Sequence, residues 1–339
     1  MASEVGPIVL EPLLKHRVWG GRRLERYGKV LPVDETPIGE SWEVADLPQA
    51  IEDGRNAIID GPWKGMTLRE AIARDREAIL GDAELTPDGG FPLLIKYLDA
   101  QENLSVQVHP TAAFVKRHPE AHLKSEAWYV LEAEPGAVIY KGVKPGVEPA
   151  QFREHIAENT VVDDLVAVPV EAGDCHYLPS GTCHALGAGV VVAEVQTPSD
   201  TTFRVYDWGR TGRELHVDEA LACIDFSDEP TAEAGPDMPM TVGGLRSQRL
   251  VRTEYFSIER VEALEQGAVL HAVTQRQPVV WMFAEGRGRL EWPGGLLDMG
   301  RGRTALLPAA LDGRAEATLE AGATVLVVQL PSRIDHMIA

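Results

Sequence analysis

Short runs of β-forming residues, each cut off by glycine or proline, fill most of this chain and leave little room for helix. They read as strands at Trp128–Leu131, Ala137–Tyr140, Val161–Val168, Val190–Val195 and Phe256–Val261. Others follow at Pro278–Phe283, Gly288–Trp292, Thr304–Leu307 and Thr324–Gln329. Many short strands with such punctuation predict a mainly β chain built as a jelly roll or barrel. Helical periodicity is confined to Thr67–Leu80, with Thr67 as its N-cap, and to briefer stretches at Pro110–Arg117, Ala150–Glu158 and Asp218–Cys223. The acidic, proline-rich passage Asp225–Thr241 reads as a linker, which divides the chain into residues 1–240 and 241–339.

The formal net charge of −20 over 339 residues argues against nucleic acid, whose binding needs a basic stripe. It leaves a small anionic substrate open, because surface charge is screened beyond about 8 Å. No stretch reaches the roughly 18 apolar residues of a membrane span. The N-terminus Met-Ala-Ser-Glu-Val-Gly-Pro lacks a basic or apolar leader, and Cys175, Cys183 and Cys223 form no C-x-x-C pair. A cytoplasmic setting is the expectation.

One strand carries chemistry. In Leu104-Ser-Val-Gln-Val-His-Pro110, side-chain alternation puts Ser105, Gln107 and His109 on one face and Val106 and Val108 on the other. Together with Glu126 and His184, this face could gather two imidazoles, a carboxylate and an amide oxygen, a set that suits a divalent ion such as zinc. His176 is an alternative to His184, which the turn before it favours. That turn, Gly173-x5-Pro179-x-Gly181-x2-His184, closely matches the second conserved motif of the cupin superfamily. The fold expected is therefore a cupin-type jelly roll that bears the metal, with a degenerate second barrel after residue 240. Gly302-Arg-Thr-Ala-Leu-Leu-Pro308 repeats the spacing of Gly173 to Pro179, without the histidine.

A longer set of matches resembles the type I mannose-6-phosphate isomerases of the short bacterial form. The residues that carry it are Arg17-Val-Trp-Gly-Gly21, Ile38-Gly-Glu-Ser-Trp-Glu43, Phe91 to Ala100 and Leu104 to Pro110, then Lys124 to Tyr129, Leu178 to Ala185 and Glu194 to Asp207. The resemblance is strong from Pro7 to Leu221 and weak beyond Met240. It implies one Zn²⁺ per chain held by Gln107, His109, Glu126 and His184, and a reacting set of Lys124, Glu194 and Arg204. The family often has Thr or Pro at Ser125, which points away from the metal if Lys124 and Glu126 share a face.

The implied reaction interconverts mannose 6-phosphate and fructose 6-phosphate through a cis-enediol, with a sugar phosphate as the small-molecule partner and a monomer or weak dimer as the assembly. Either Glu194 or Lys124 could be the base, and Arg204, always charged, suits the enediolate or phosphate. Ser105 and Lys96 are further phosphate candidates; Lys96, in an apolar strand, either reaches an anion in the pocket or pairs with a carboxylate. Trp19, Trp42 and Trp128 read as packing residues, and Arg210 and Arg213 as a solvated loop rather than a phosphate clamp. His118, His122, His155, His216, His271 and His336 read as surface or packing residues. Competing readings are an iron oxygenase using two histidines and a carboxylate, against which Gln107 counts, a sugar-phosphate binder without activity, and an isomerase of another sugar.

Overall fold

Four antiparallel sheets arise from these strands in a computed structural model that describes residues 5–227 and 235–331. His336 and the middle of the expected linker, residues 228–234, lie outside the described residues. Among the described residues, eleven strands precede residue 225. They are β1 (Leu13–Gly21), β2 (Ile38–Val44), β3 (Leu94–Ala100), β4 (Val106–Val108), β5 (Glu126–Ala133) and β6 (Val138–Val143), then β7 (Leu165–Pro169), β8 (Cys175–Leu178), β9 (His184–Leu186), β10 (Val190–Gln196) and β11 (Phe203–Tyr206). Ten more follow residue 239. They are β12 (Met240–Val242), β13 (Leu245–Arg252), β14 (Ser257–Ala263), β15 (Ala268–His271) and β16 (Val279–Glu285), then β17 (Arg287–Trp292), β18 (Gly295–Gly300), β19 (Thr304–Leu307), β20 (Glu316–Leu319) and β21 (Thr324–Gln329).

The first group forms a six-stranded sheet, β1-β2-β3-β10-β5-β8, and a five-stranded sheet, β11-β4-β9-β6-β7. The second group repeats the plan, with six strands in the order β12-β13-β14-β21-β16-β19 and four in the order β15-β20-β17-β18. Strand for strand, β8 and β19 hold the same place, and these are the strands inside the two Gly-to-Pro echoes noted in the sequence.

Alternation along each strand decides what faces what. On β3, Leu94, Lys96 and Leu98 turn into the first barrel, while Ile95 and Tyr97 turn outward. The outward residues of the first six-stranded sheet, Ile95, Tyr97, Ala127, Tyr129 and Val195, share one apolar cluster with Ile258, Val280, Met282, Leu326 and Val328 of the second. The two barrels therefore sit back to back, and the chain start straps them: Ile8 exchanges both backbone hydrogen bonds with Leu306 on β19, at 2.7 and 2.9 Å.

Helix α1 (Leu68–Leu80) caps this seam with Leu68, Ala71, Ile72 and Ile79. It starts where the sequence places it. Thr67 accepts from the Glu70 amide while the Glu70 carboxylate accepts from the Thr67 amide at 2.8 Å, a reciprocal capping box. Helices α2 (Ala112–Val115), α3 (Pro149–Glu158) and α4 (Val217–Cys223) also fall in the expected stretches; α3 and α4 cover the outer face of the five-stranded sheet through Phe152, Ile156 and Ala220. The expected strand Val161–Val168 is half right. Val161–Asp164 is a 3₁₀ turn and the strand begins at Leu165, because Asp164 is drawn aside by His155 Nδ1 at 2.7 Å and its carbonyl by the Lys144 amide. No helix among the described residues is long and apolar enough to cross a membrane.

Candidate metal centre and active site

Three buried side chains converge inside the first barrel. His109 Nε2 lies 3.5 Å from Glu126 Oε2, and His184 Nε2 lies 3.2 Å from Glu126 Oε1. Each comes from the end of a strand: His109 follows β4, Glu126 opens β5 and His184 opens β9. His109 Nδ1 is 3.0 Å from the Thr201 carbonyl, and His184 Nδ1 is 2.8 Å from the Thr182 carbonyl. A carbonyl oxygen only accepts, so each Nδ1 carries the proton and each Nε2 turns a lone pair to the common point. His109 Nε2 and Glu126 Oε1 are buried without a hydrogen-bond partner, and Glu126 Oε2 has the Lys124 ammonium beside it. Buried polar atoms are rarely left so, and this set is what a divalent ion would satisfy.

Gln107, the fourth ligand expected from the sequence, stands beside these three. It sits directly across the β4–β9 ladder from His184, with its amide nitrogen 3.4 Å from His184 Nε2 and its oxygen accepting from Ser105 Oγ at 3.2 Å. A half-turn of the amide exchanges the two atoms and presents oxygen to the cluster. His176, the alternative ligand, lies on β8 opposite Trp128 and is not in the cluster.

The turn before His184 is built for its task. Gly181 has φ +92°, and a Cβ there would come within 3.0 Å of the Cys223 carbonyl. Its amide donates to the His109 carbonyl at 3.2 Å, so one glycine ties the two histidine segments together. Ser125 faces away from the cluster as expected, accepting from the Ser180 amide at 3.0 Å and so fixing the same turn from the other side.

Charge in the cluster is balanced by Lys124, whose Nζ lies 2.7 Å from Glu126 Oε2. Burial, reinforced by the Lys124 ammonium, pushes the His109 imidazole down to about 3, so it is neutral, as a ligand must be. Burial alone would raise the Glu126 carboxyl, but the Lys124 ammonium outweighs it and holds it well below the usual carboxylate range. Lys124 shows the mirror case: burial opposes its charge, and Glu126 and Glu194 more than restore it, raising its pKa.

A cavity of about 500 Å³ opens beside the cluster, lined among others by Ser105, Gln107, Lys124, Glu194 and Arg204. Glu194 Oε2 accepts from Trp128 Nε1 at 2.9 Å, while Oε1 is buried without a hydrogen bond, with Lys96 Nζ 3.2 Å away. Lys96 thus takes the carboxylate option the sequence left open, and takes it twice, since Glu40 Oε2 lies 3.6 Å from the same nitrogen. Arg204 donates through Nη1 to the Glu214 carbonyl at 2.9 Å, and its Nε is buried with no partner. Burial and the neighbouring Arg213 both pull its pKa down.

Sequence reading passed over several residues of this pocket. Glu40 accepts from Arg17 Nε at 2.6 Å and Trp42 Nε1 at 2.6 Å, and burial works against its charge until Lys96 and Arg17 prevail and bring it to about 2. Trp42 and Trp128 are therefore carboxylate donors as well as packing residues. Only part of this signal is local: Glu40 and Trp42 share a strand face two residues apart, but Lys96 comes from the neighbouring strand. Arg210 and Arg213 are not a merely solvated loop: Arg213 Nε holds the buried Asp207 at 2.7 Å and Arg210 Nη2 holds it at 2.8 Å, and Arg213 also lines the cavity.

The sequence profile described as "Phosphomannose isomerase type I, catalytic domain" matches residues 8–139. Mannose-6-phosphate isomerase ManA of Bacillus subtilis is 33% identical over 335 residues, 96% of this chain and 99% of its own length. The mannose-6-phosphate isomerase of Streptococcus mutans is 34% identical over 290 residues, covering 84% of this chain and 86% of its own. The chain belongs to the type I phosphomannose isomerase family.

The crystal structure of the mannose 6-phosphate isomerase from Bacillus subtilis extends the match to three dimensions. It superposes with a TM-score of 0.84 at 28% identity, over 96% of this chain and 100% of that one. As a phosphomannose isomerase, the chain is thus similar to its relatives through the second barrel too, past the point near Met240 where the motifs fade.

Proposed function

We propose that this chain interconverts mannose 6-phosphate and fructose 6-phosphate by moving a proton between C1 and C2 of the open-chain sugar. One observation carries the reading: the converging His109, Glu126 and His184 lie directly behind Gln107 and Lys124, which line the same pocket as Glu194, whose Oε1 is buried without a hydrogen bond. With Gln107 these residues would hold one Zn²⁺, which when bound supplies Lewis acidity to oxygens of the sugar. Residues 1–240 carry the site, and residues 241–339 form a companion domain.

Glu194 is the base in this reading. Trp128 fixes one of its oxygens, and Oε1, with Lys96 Nζ 3.2 Å away, takes the proton from one carbon and returns it to the next. Lys124 is occupied by Glu126 and charged, which fits it to donate to a sugar oxygen as negative charge grows there. Arg204 turns an unpartnered Nε toward the same purpose, and with Arg213 and Ser105 gives the phosphate its partners. Lys96, held between two carboxylates, fits a sugar hydroxyl better than a phosphate, because little positive field is left over.

A coupled assay for fructose 6-phosphate, run with zinc and after EDTA, tests the reaction. Turnover should need the metal. Glu194→Gln should keep its zinc and lose about 10²–10⁴-fold in kcat, while His184→Ala should lose zinc itself. A folded, zinc-loaded wild type without turnover would sink the proposal, and zinc loss in Glu194→Gln would sink the role given to that residue.

A further inference from the structure

The second barrel has a mouth of its own. A cavity of about 630 Å³ lies between β12–β14 and β15, floored by Val261, Trp281 and Val327 and flanked by Leu245 and Leu270. At its rim Val242 is 74% and Val273 is 55% exposed. The cavity lies where the catalytic pocket lies in the first barrel, and the strand registers make the comparison residue by residue. Glu126 pairs with Leu178 and Gln196; in the second barrel Val279 pairs with Leu307 and Gln329 in the same way. Apolar Val279 thus replaces the shared metal carboxylate.

One layer on, Trp128, Glu194 and Lys96 lie side by side across three strands, and Trp281, Val327 and Glu259 repeat that row. The row keeps its tryptophan and one charged residue, but the charged residue has lost its counter-ion. Glu259 is half-buried, lines the cavity, and has no hydrogen bond or ion pair among the described residues. Its cross-strand neighbour Arg249 is turned to Asp237, with Nε 2.9 Å from the carboxylate. Lining residues include a second acid, Glu265, and His271, which is turned to Glu316 at 3.1 Å, but neither lysine nor arginine. The catalytic pocket, by contrast, sets Arg17, Lys96, Lys124, Arg204 and Arg213 against Glu40, Glu194 and Asp200 and so keeps an excess of positive charge. Two pockets in equivalent places thus carry opposite charge.

We propose that the mouth of the second barrel is a binding site for an organic cation, an ammonium group on an apolar body. The apolar floor takes the body, as in most small-molecule sites. Glu259 takes the ammonium, because a partly desolvated carboxylate gains most from a charged donor. Ser247 and Gln329, at the same rim, offer further polar contacts.

The test is an NMR titration of zinc-loaded protein with three matched probes: 2-phenylethylammonium, neutral 2-phenylethanol and anionic phenylacetate. The ammonium should bind saturably and at least about fivefold more tightly than the alcohol, with the anion weakest. Mannose 6-phosphate should not displace it, which separates this site from the catalytic pocket. Glu259→Gln, close in shape and half-exposed, should keep the wild-type thermal midpoint and lose the preference for the cation. Absent saturation, equal affinity for the three probes, displacement by mannose 6-phosphate, or a preference that survives Glu259→Gln would each overturn the proposal.

Discussion

Glu40 shows how much one carboxylate can organise. It gathers Arg17, Trp42 and Lys96, and through Lys96 it is linked to Glu194. Its pKa of about 2 lies below the ordinary 4.5, so ionised Glu40 stabilises the fold fully above about pH 4.5 and the gain fades as pH falls toward 2. Glu40→Gln should therefore cost about 3 kcal/mol at pH 7 in urea unfolding, nearly as much at pH 5, and less than half of that by pH 3. A cost independent of pH would mean that shape, not charge, is what Glu40 supplies. Residues of this kind are hard to see in a sequence. Gln107 and His109 could be found because alternation within one strand is local, whereas the weight of Glu40 comes from pairing β2 with β3, where Trp42 and Lys96 meet. The fate of Lys96 depended on the same pairing, and so could only be stated as a choice.

At the scale of elements, punctuation was legible and interruption was not. Helix α1 begins at its capping box because Thr67 and Glu70 satisfy each other's backbone amides, an arrangement written in adjacent residues. Thr67→Ala should cost about 1 kcal/mol and Thr67→Ser should recover most of it, measured by denaturant midpoint. Equal losses in both would show that the methyl contact, not the oxygen, carries the cap. The same helix is broken at Asp75, with φ −135°, where Trp63 Nε1 donates to its carboxylate at 2.6 Å. That kink depends on a side chain from outside the helix, as does the turn at Val161–Asp164, and neither leaves a mark in local periodicity. Strands β1 and β2 were likewise passed over as strands, since Arg17-Val-Trp and Glu40-Ser-Trp-Glu mix charges into positions that only the pocket explains.

Across the whole molecule, the two barrels are joined by more than apolar contact. Lys29 Nζ lies 2.7 Å from Glu43 Oε2 and 2.7 Å from the Gly302 carbonyl of the second barrel, with side chains 5% and 3% exposed. Ser41 Oγ donates to the other Glu43 oxygen at 2.6 Å. Removing one partner strands a buried charge, so Lys29→Met should destabilise by about 3–5 kcal/mol. The double change Lys29→Met with Glu43→Gln should cost clearly less than the sum of the single changes. Strict additivity in that cycle would mean the pair contributes nothing as a pair.

The back-to-back seam has a further consequence. Each six-stranded sheet spends its outer face on the other, so Ile95, Tyr97 and Val195 on one side and Ile258, Met282 and Val328 on the other are dry only while both halves are present. Each barrel is the other's raincoat. Damage far from the catalytic mouth, in a half that contributes none of the residues proposed to hold the metal, would then reach the chemistry by wetting the back wall of the sheet that carries Lys96, Glu126 and Glu194.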